Sequence, residues 1–150
     1  MNDDDFEHLL EELQRKIEYE EEATYSKVVI REYRKPSNFG MIENPDTLGE
    51  VKGPCGDTMK ISLRIEDRKI RDACFWTDGC GATIACGSML TKMIKGEILE
   101  GVSAITSERL IDALEGLPKE HMHCSKLAVD TLQKAIKNYN KKKNSESPSL

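Results

Sequence analysis

The sequence predicts an α+β fold, and three observations carry that prediction. Residues 58–66, "TMKISLRIE", set Met59, Ile61, Leu63 and Ile65 on one face and Lys60, Ser62, Arg64 and Glu66 on the other, the period of a half-buried strand. "IRDACFWT" (70–77) follows the tight turn "DRK" and reads as the returning strand of an antiparallel hairpin. Around this hairpin, several segments space their apolar residues at helical intervals, which gives four or five helices.

The first helix is acidic. Phe6, Leu9, Leu10, Leu13 and Ile17 form one apolar stripe, and Asp3 to Asp5 favour a helix start through the macrodipole. That stripe must bury against something, either this domain or a partner. A second helical stretch, Tyr25 to Tyr33, carries Val28, Val29 and Ile30 and is ended by Pro36. Residues 36–54 hold Pro36, Gly40, Pro45, Gly49, Gly53 and Pro54, a loop with a short strand near Glu50 to Lys52.

After the hairpin, both faces of the return strand are apolar, since Ala73 and Phe75 oppose Cys74 and Trp76. The Cys74/Trp76 side is therefore expected to lie under the N-terminal helix or another subunit. "TDGCGATIACGSMLTKMIKG" gives a Gly-Cys-Gly turn and a helix from about Ala82 to Lys95, stopped by Gly96. A short helix fits Ser107 to Glu115. "HMHCSKLAVDTLQKAIKNY" opens the last helix, and "KKKNSESPSL" reads as a polar tail that does not order.

Composition narrows the function. A 150-residue chain, 38% hydrophobic and 33% charged, has the size of one domain with a real core. No apolar run reaches membrane-spanning length. Residues 1–22 carry ten acidic and two basic side chains, unlike a secretory signal or an Arg-rich transit peptide, so a cytoplasmic location is expected. A net charge of −5 argues against nucleic acid as partner.

Five cysteines is an odd number, and in a cytosolic chain it points to metal binding or thiol chemistry rather than disulfides. Cys55, Cys80 and Cys124 each stand at an element junction; Cys80 and Cys124 open helices, where free N–H groups favour the thiolate. Their spacing lacks the paired knuckles of a zinc finger. It does not by itself decide between a shared metal site and three unrelated turn cysteines. Asp57 reads equally as a cap of its own turn or as an oxygen ligand. Cys86 lies inside a helix and reads as a packed thiol, and Cys74 has no turn context. His121 and His123 are two apart, so only one is expected to face Cys124.

"GPCGDTMKISLRI", "TDGCGATIACGSMLT" and "HMHCSKLAVDTLQKAI" closely resemble the three cysteine motifs of IscU/NifU-type iron–sulfur cluster assembly scaffolds. "YSKVVIREYRKPSNFGMIENPD" resembles that family's opening helix and loop. The resemblance implies a three-stranded antiparallel sheet packed against four to six helices, here with an extra acidic N-terminal helix. It divides the chain into an acidic helical extension (1–23), a scaffold domain (24–140) and a disordered tail (141–150). It implies a non-enzymatic scaffold that accepts sulfur from a cysteine desulfurase, binds iron, assembles a [2Fe–2S] cluster and passes it to apo-proteins.

By position, the resemblance implies Cys55, Cys80 and Cys124 as ligands, with Asp57 and His123 as neighbours that ligate or assist. Cys124 best matches the sulfur acceptor, and zinc can occupy the cluster-free site. Two alternatives stay beside this reading, a zinc-binding sulfur acceptor built on the same cysteines and a small metal-stabilised interaction domain without sulfur chemistry. A cluster held in one chain and one bridging a homodimer are both compatible with the sequence. The stretch "LPKEHMHC" keeps only Leu117 and Pro118 of the Leu-Pro-Pro-Val-Lys segment that a dedicated chaperone reads in many bacterial members. The short interval from Cys80 to Cys124 resembles the uninserted IscU branch rather than the SufU type.

Overall fold

A computed structural model describes residues 2–146. The chain order is α1 (Asp3–Thr24), α2 (Lys27–Arg34), β1 (Thr47–Lys52), β2 (Thr58–Glu66), β3 (Lys69–Thr77), α3 (Gly81–Ile94), α4 (Leu99–Ser103), α5 (Ser107–Ala113), a 3-10 turn (Lys119–His121) and α6 (Met122–Glu146). One antiparallel sheet runs β1-β2-β3, with Thr47 opposite Leu63 and Ile61 opposite Phe75. Asp67 and Arg68 turn the hairpin with positive φ. The α+β class and the three-stranded sheet are as expected.

The alternation in β2 has its reason in the core. Met59, Ile61, Leu63, Ala73 and Phe75 are fully buried together with Leu90 and Ile94 of α3 and Leu132 and Ala135 of α6. β1 lies directly on α6, and Gly49 makes that approach possible: a Cβ there would stand 2.4 Å from the Thr131 carbonyl oxygen and 2.6 Å from the Ala135 nitrogen. The α2–α3 contact is polar at its centre. Buried Glu32 accepts from Ser88 Oγ (2.7 Å), Lys92 Nζ (2.8 Å) and Arg31 Nε (3.0 Å). Burial opposes its charge, but these three donors outweigh burial and hold its pKa low.

Three expectations are corrected. Of the two coverings expected for the Cys74/Trp76 face, the N-terminal helix is not the one present. The loop after α2 crosses it: Asn38 and Gly40 bond the backbone of Phe75, and the Ile42 N–H donates to the buried Ser62 hydroxyl at 3.0 Å. Lys60 sits over the Trp76 ring at 5.2 Å, leaving Cys74 and Trp76 half-buried. Second, the polar tail was expected to begin at 141, but α6 continues through Glu146; residues 147–150 lie outside those described. Its 141–145 side chains are exposed, and i→i−4 bonding sustains the helix without burial. Third, α4 was not foreseen, because a helix of five residues shows too little of its period to read.

α1 forms as expected, with the Asn2 side chain accepting from the Asp5 N–H at 2.8 Å. None of its residues is buried, and Phe6, Leu9, Leu10, Leu13 and Ile17 stay roughly half exposed, so this domain does not cover the stripe. Among the described residues, no helix is long and apolar enough to cross a membrane.

Candidate metal centre

Three chain segments converge at one end of α3 and α6. The first is the turn between β1 and β2, closed by Gly53 N–H to Asp57 O (2.7 Å) and Gly56 N–H to Gly53 O (3.0 Å). Gly56 takes φ +90°, a value that explains the residue after Cys55. Cys55 is exposed at the tip of this turn.

The second segment is the start of α3. Cys80 is its N-cap residue, so its sulfur stands by unsatisfied backbone N–H groups. Burial pushes this thiol's pKa up, but the Thr83 N–H, the Thr83 hydroxyl and the Ala82 N–H outweigh it, and the net shift is downward. Gly79 leaves room for Thr83, since a Cβ there would lie 2.8 Å from the Thr83 side chain.

The third segment is the 3-10 turn and the first turn of α6. Cys124 is only 1% exposed. Its burial is the leading reason that its pKa is pushed up to about 11, although the Thr83 hydroxyl, donating at 3.3 Å, pulls the other way. Thr83 Oγ1 also lies 3.7 Å from Cys80 Sγ, so one buried hydroxyl joins both sulfurs. Asp57, half-buried in its turn, is near enough for its charge to raise both thiols.

Both histidines reach this end of the molecule. His123 Nε2 lies 3.3 Å from Cys55 Sγ and 3.8 Å from Cys124 Sγ. His121 groups with Cys80 and Cys124, the ligand atoms of the three lying within 4.8 Å of one another. Its Nε2 also meets the Tyr25 hydroxyl at 3.2 Å. Burial and the neighbouring Cys80 and Cys124 push the Tyr25 pKa up. The expectation that only one histidine faces the site is thus corrected. It assumed one continuous helix, whereas the chain passes from a 3-10 turn into α6 between the two rings, which sit 6.5 Å apart.

Cys55, Asp57, Cys80, His123 and Cys124 therefore all stand at one rim, and sequence reading missed Thr83, His121 and Tyr25. Cys86 is fully buried and its pKa is raised well above the usual thiol range by burial, while Cys74 lies on the sheet. Two thiols and an imidazole form a donor set suited to zinc or iron rather than to magnesium or calcium.

Comparison with known proteins gives a consistent picture. The family model described as NifU-like N terminal domain matches residues 24–146. The chain is 45% identical over 119 residues to iron-sulfur cluster assembly scaffold protein IscU 1 of Archaeoglobus fulgidus, covering 79% of this chain and 78% of the relative. It is 40% identical over 124 residues to the scaffold protein IscU of Escherichia coli, covering 79% and 96% of the two. The solved N-terminal domain of a NifU-like protein from Brucella abortus superposes with a TM-score of 0.66 at 17% identity, over 78% of this chain and 94% of that one, a likeness of fold.

Proposed function

We propose that this chain, which belongs to the NifU-like N-terminal domain family and within it resembles the IscU scaffolds, builds a [2Fe–2S] cluster at the rim of Cys55, Cys80 and Cys124. Its function is that of a scaffold for iron–sulfur cluster assembly rather than an enzyme, and iron and the cluster are its cargo. The observation that carries the reading is the convergence of three thiols, from segments far apart in sequence, around His123 and Thr83.

The chemistry suits these parts. Cysteine thiolates ligate the iron atoms of iron–sulfur clusters. Cys80 is the more acidic of the two helix-start thiols and Cys55 rides on an exposed turn, so both can reach incoming iron. Cys124 is the proposed sulfur acceptor. Its proton passes to His123, and the thiolate attacks the outer sulfur of a cysteine desulfurase persulfide. A new S–S bond forms at Cys124, the old one breaks, and the desulfurase cysteine leaves as thiolate. Asp57 or His123 would serve as the weaker fourth ligand that keeps the cluster transferable to apo-proteins.

The partners in this reading are a cysteine desulfurase, apo iron–sulfur proteins and, for a bridging cluster, a second copy; its location is cytoplasmic. Its domain boundaries are an extension over 1–23 and a scaffold domain from 24, a start that agrees with the family match over 24–146. A second reading, a zinc-binding sulfur acceptor, draws support from the two-sulfur, one-nitrogen grouping at Cys80, His121 and Cys124.

Anaerobic reconstitution with ferrous iron, cysteine and a desulfurase tests the choice. A brown protein with visible charge-transfer bands that Cys80→Ser abolishes supports the scaffold. A colourless protein that keeps stoichiometric zinc supports the alternative. Asp57→Ala is expected to slow cluster transfer to an apo-ferredoxin, and unchanged transfer removes that role.

A further inference from the structure

We propose that α1 of one copy of this chain docks in the basic groove along α2 of a second copy, so that two copies exchange their N-terminal helices reciprocally. The inference stands apart from the cluster reading, because none of the residues it uses belongs to the metal rim.

Two surfaces of the molecule lack a partner. The first is the α1 stripe, where Phe6, Leu9, Leu10, Leu13 and Ile17 are each 43–53% exposed. At about 100° per residue, Asp3 and Glu7 flank the stripe along one edge, and Asp5 and Glu12 along the other. The second surface is a groove of about 350 Å³ lined by Lys27, Ile30, Arg31, Arg34 and Lys35, with Glu22 of α1 at its edge. Ile30 and the aliphatic stems of these cations give it an apolar lining, while the charged heads stay in water. Arg31 is held by Glu32 and Arg34 by Glu21, whereas neither Lys27 nor Lys35 forms an ion pair among the described residues.

The two surfaces match in shape and in charge. An amphipathic helix lays its apolar face into such a groove, and its flanking carboxylates meet the cations beside it. Pairing α1 with α1 would instead bring together two segments that each carry ten acidic and two basic side chains.

The occupant comes from another chain. α1 is one continuous helix to Thr24, and its own last turn edges the groove. A rise of about 1.5 Å per residue carries Phe6 about 24 Å from Glu22, so the stripe reaches its own groove only if the helix breaks.

The eight residues of α2 span about 12 Å, two turns of an incoming helix, which seats Phe6, Leu9, Leu10 and Leu13. In a two-fold exchange the two α1 helices run antiparallel between the bodies. The midpoint between Glu22 at one groove and the seated turns at the other falls beside Ile17, which thus meets its counterpart near the axis. The whole stripe is then covered.

Sedimentation equilibrium of the reduced, metal-free full-length chain tests this, with chelator present so that no metal bridges two copies. A dimer of twice the 16.9 kDa chain mass is expected. Raising the salt from about 0.1 M to about 1 M shortens the screening length from about 10 Å to about 3 Å and should weaken the dimer at least about tenfold. Leu10→Ser with Leu13→Ser and, separately, Lys27→Glu with Lys35→Glu should each give a monomer. All four side chains are exposed, so circular dichroism should show both variants folded. Adding Glu7→Lys and Glu12→Lys to the groove variant should restore the dimer.

A wild-type chain that stays monomeric at sub-millimolar concentration overturns the inference, whatever basic protein its α1 binds instead. A dimer that survives Lys27→Glu with Lys35→Glu overturns it too, since α1 then pairs with α1 or the contact lies elsewhere. Carbodiimide cross-linking of mixed unlabelled and heavy-isotope wild-type chains needs no variant. It should join Lys27 or Lys35 of one copy to Asp3, Asp5, Glu7 or Glu12 of the other, and intermolecular links found only elsewhere overturn the exchange.

Discussion

Cys80 and Cys124 occupy the same kind of place, the start of a helix, and touch the same hydroxyl, yet they are opposite thiols. Cys80 is exposed and its pKa is lowered; Cys124 is 1% exposed and pushed up to about 11. A helix N-terminus therefore does not make a thiolate by itself. Cys80, as N-cap, has the Ala82 and Thr83 N–H groups aimed at its sulfur, and they outweigh its partial burial. Cys124 lies within the first turn, where desolvation exceeds what one Thr83 hydroxyl returns. The rim thus holds one thiol ready for metal or electrophile and one that must first lose a proton.

The widest consequence is in reactivity. Burial pushes the Cys124 thiol up to about 11 and keeps it protonated at pH 7, whereas burial at Cys80 is outweighed by the Thr83 and Ala82 N–H groups and the Thr83 hydroxyl, which lower its pKa. The higher nucleophilicity of the less acidic sulfur recovers only part of that difference. Iodoacetamide should therefore alkylate Cys80 more than about 10 times faster than Cys124 in the metal-free protein, read by peptide mass spectrometry. Equal rates would break the comparison. Saturating zinc should protect both.

How much of this contrast could be read in advance depends on which forces act locally. The strand alternation at 58–66 and the Gly-Cys-Gly helix start are written within a few residues, so the hairpin, α3 and Cys80's junction were legible. The burial of Cys124 was not, because it is made by Thr83, 41 residues earlier, and by the core behind α6. Spacing two apart allows only one of His121 and His123 to face Cys124 if the backbone is regular, and the 3-10 turn ending between them breaks that condition. Tyr25 reads as one more residue of a helical stretch until the fold carries it across 96 residues to His121.

A smaller effect sharpens the role of the shared hydroxyl. Thr83→Val keeps the shape and removes the oxygen that lies 3.3 Å from Cys124 and 3.7 Å from Cys80. Both thiols should become less acidic, and Cys80 alkylation should slow several-fold while remaining the faster, since its backbone donors persist. The fold should lose about 1 kcal/mol, the net value of one hydrogen bond. An unchanged Cys80 rate would assign its acidity to the backbone alone.

The smallest effect is on stability at alkaline pH, and its sign separates the two thiols. An unfolded cysteine titrates near 8.5. Cys124 keeps its proton in the fold until about 11, so its contribution is complete below about pH 8.5 and drains away as pH rises towards 11. Cys80 does the reverse. Its folded pKa is lowered, so it contributes above the unfolded value and loses that contribution as pH falls through the folded one. Cys86, raised well above the usual range, adds to the alkaline loss in every variant that retains it. In urea titrations of the reduced, metal-free chain at pH 8, 9 and 10, the wild-type midpoint should fall. Cys124→Ser should flatten that fall, because a hydroxyl does not titrate there, while Cys80→Ser should steepen its first part. A Cys124→Ser curve parallel to the wild type would assign the alkaline loss to the other raised groups, Cys86, Cys74, Tyr25 and Tyr33, and leave Cys124 without the burial cost that sets it apart from Cys80.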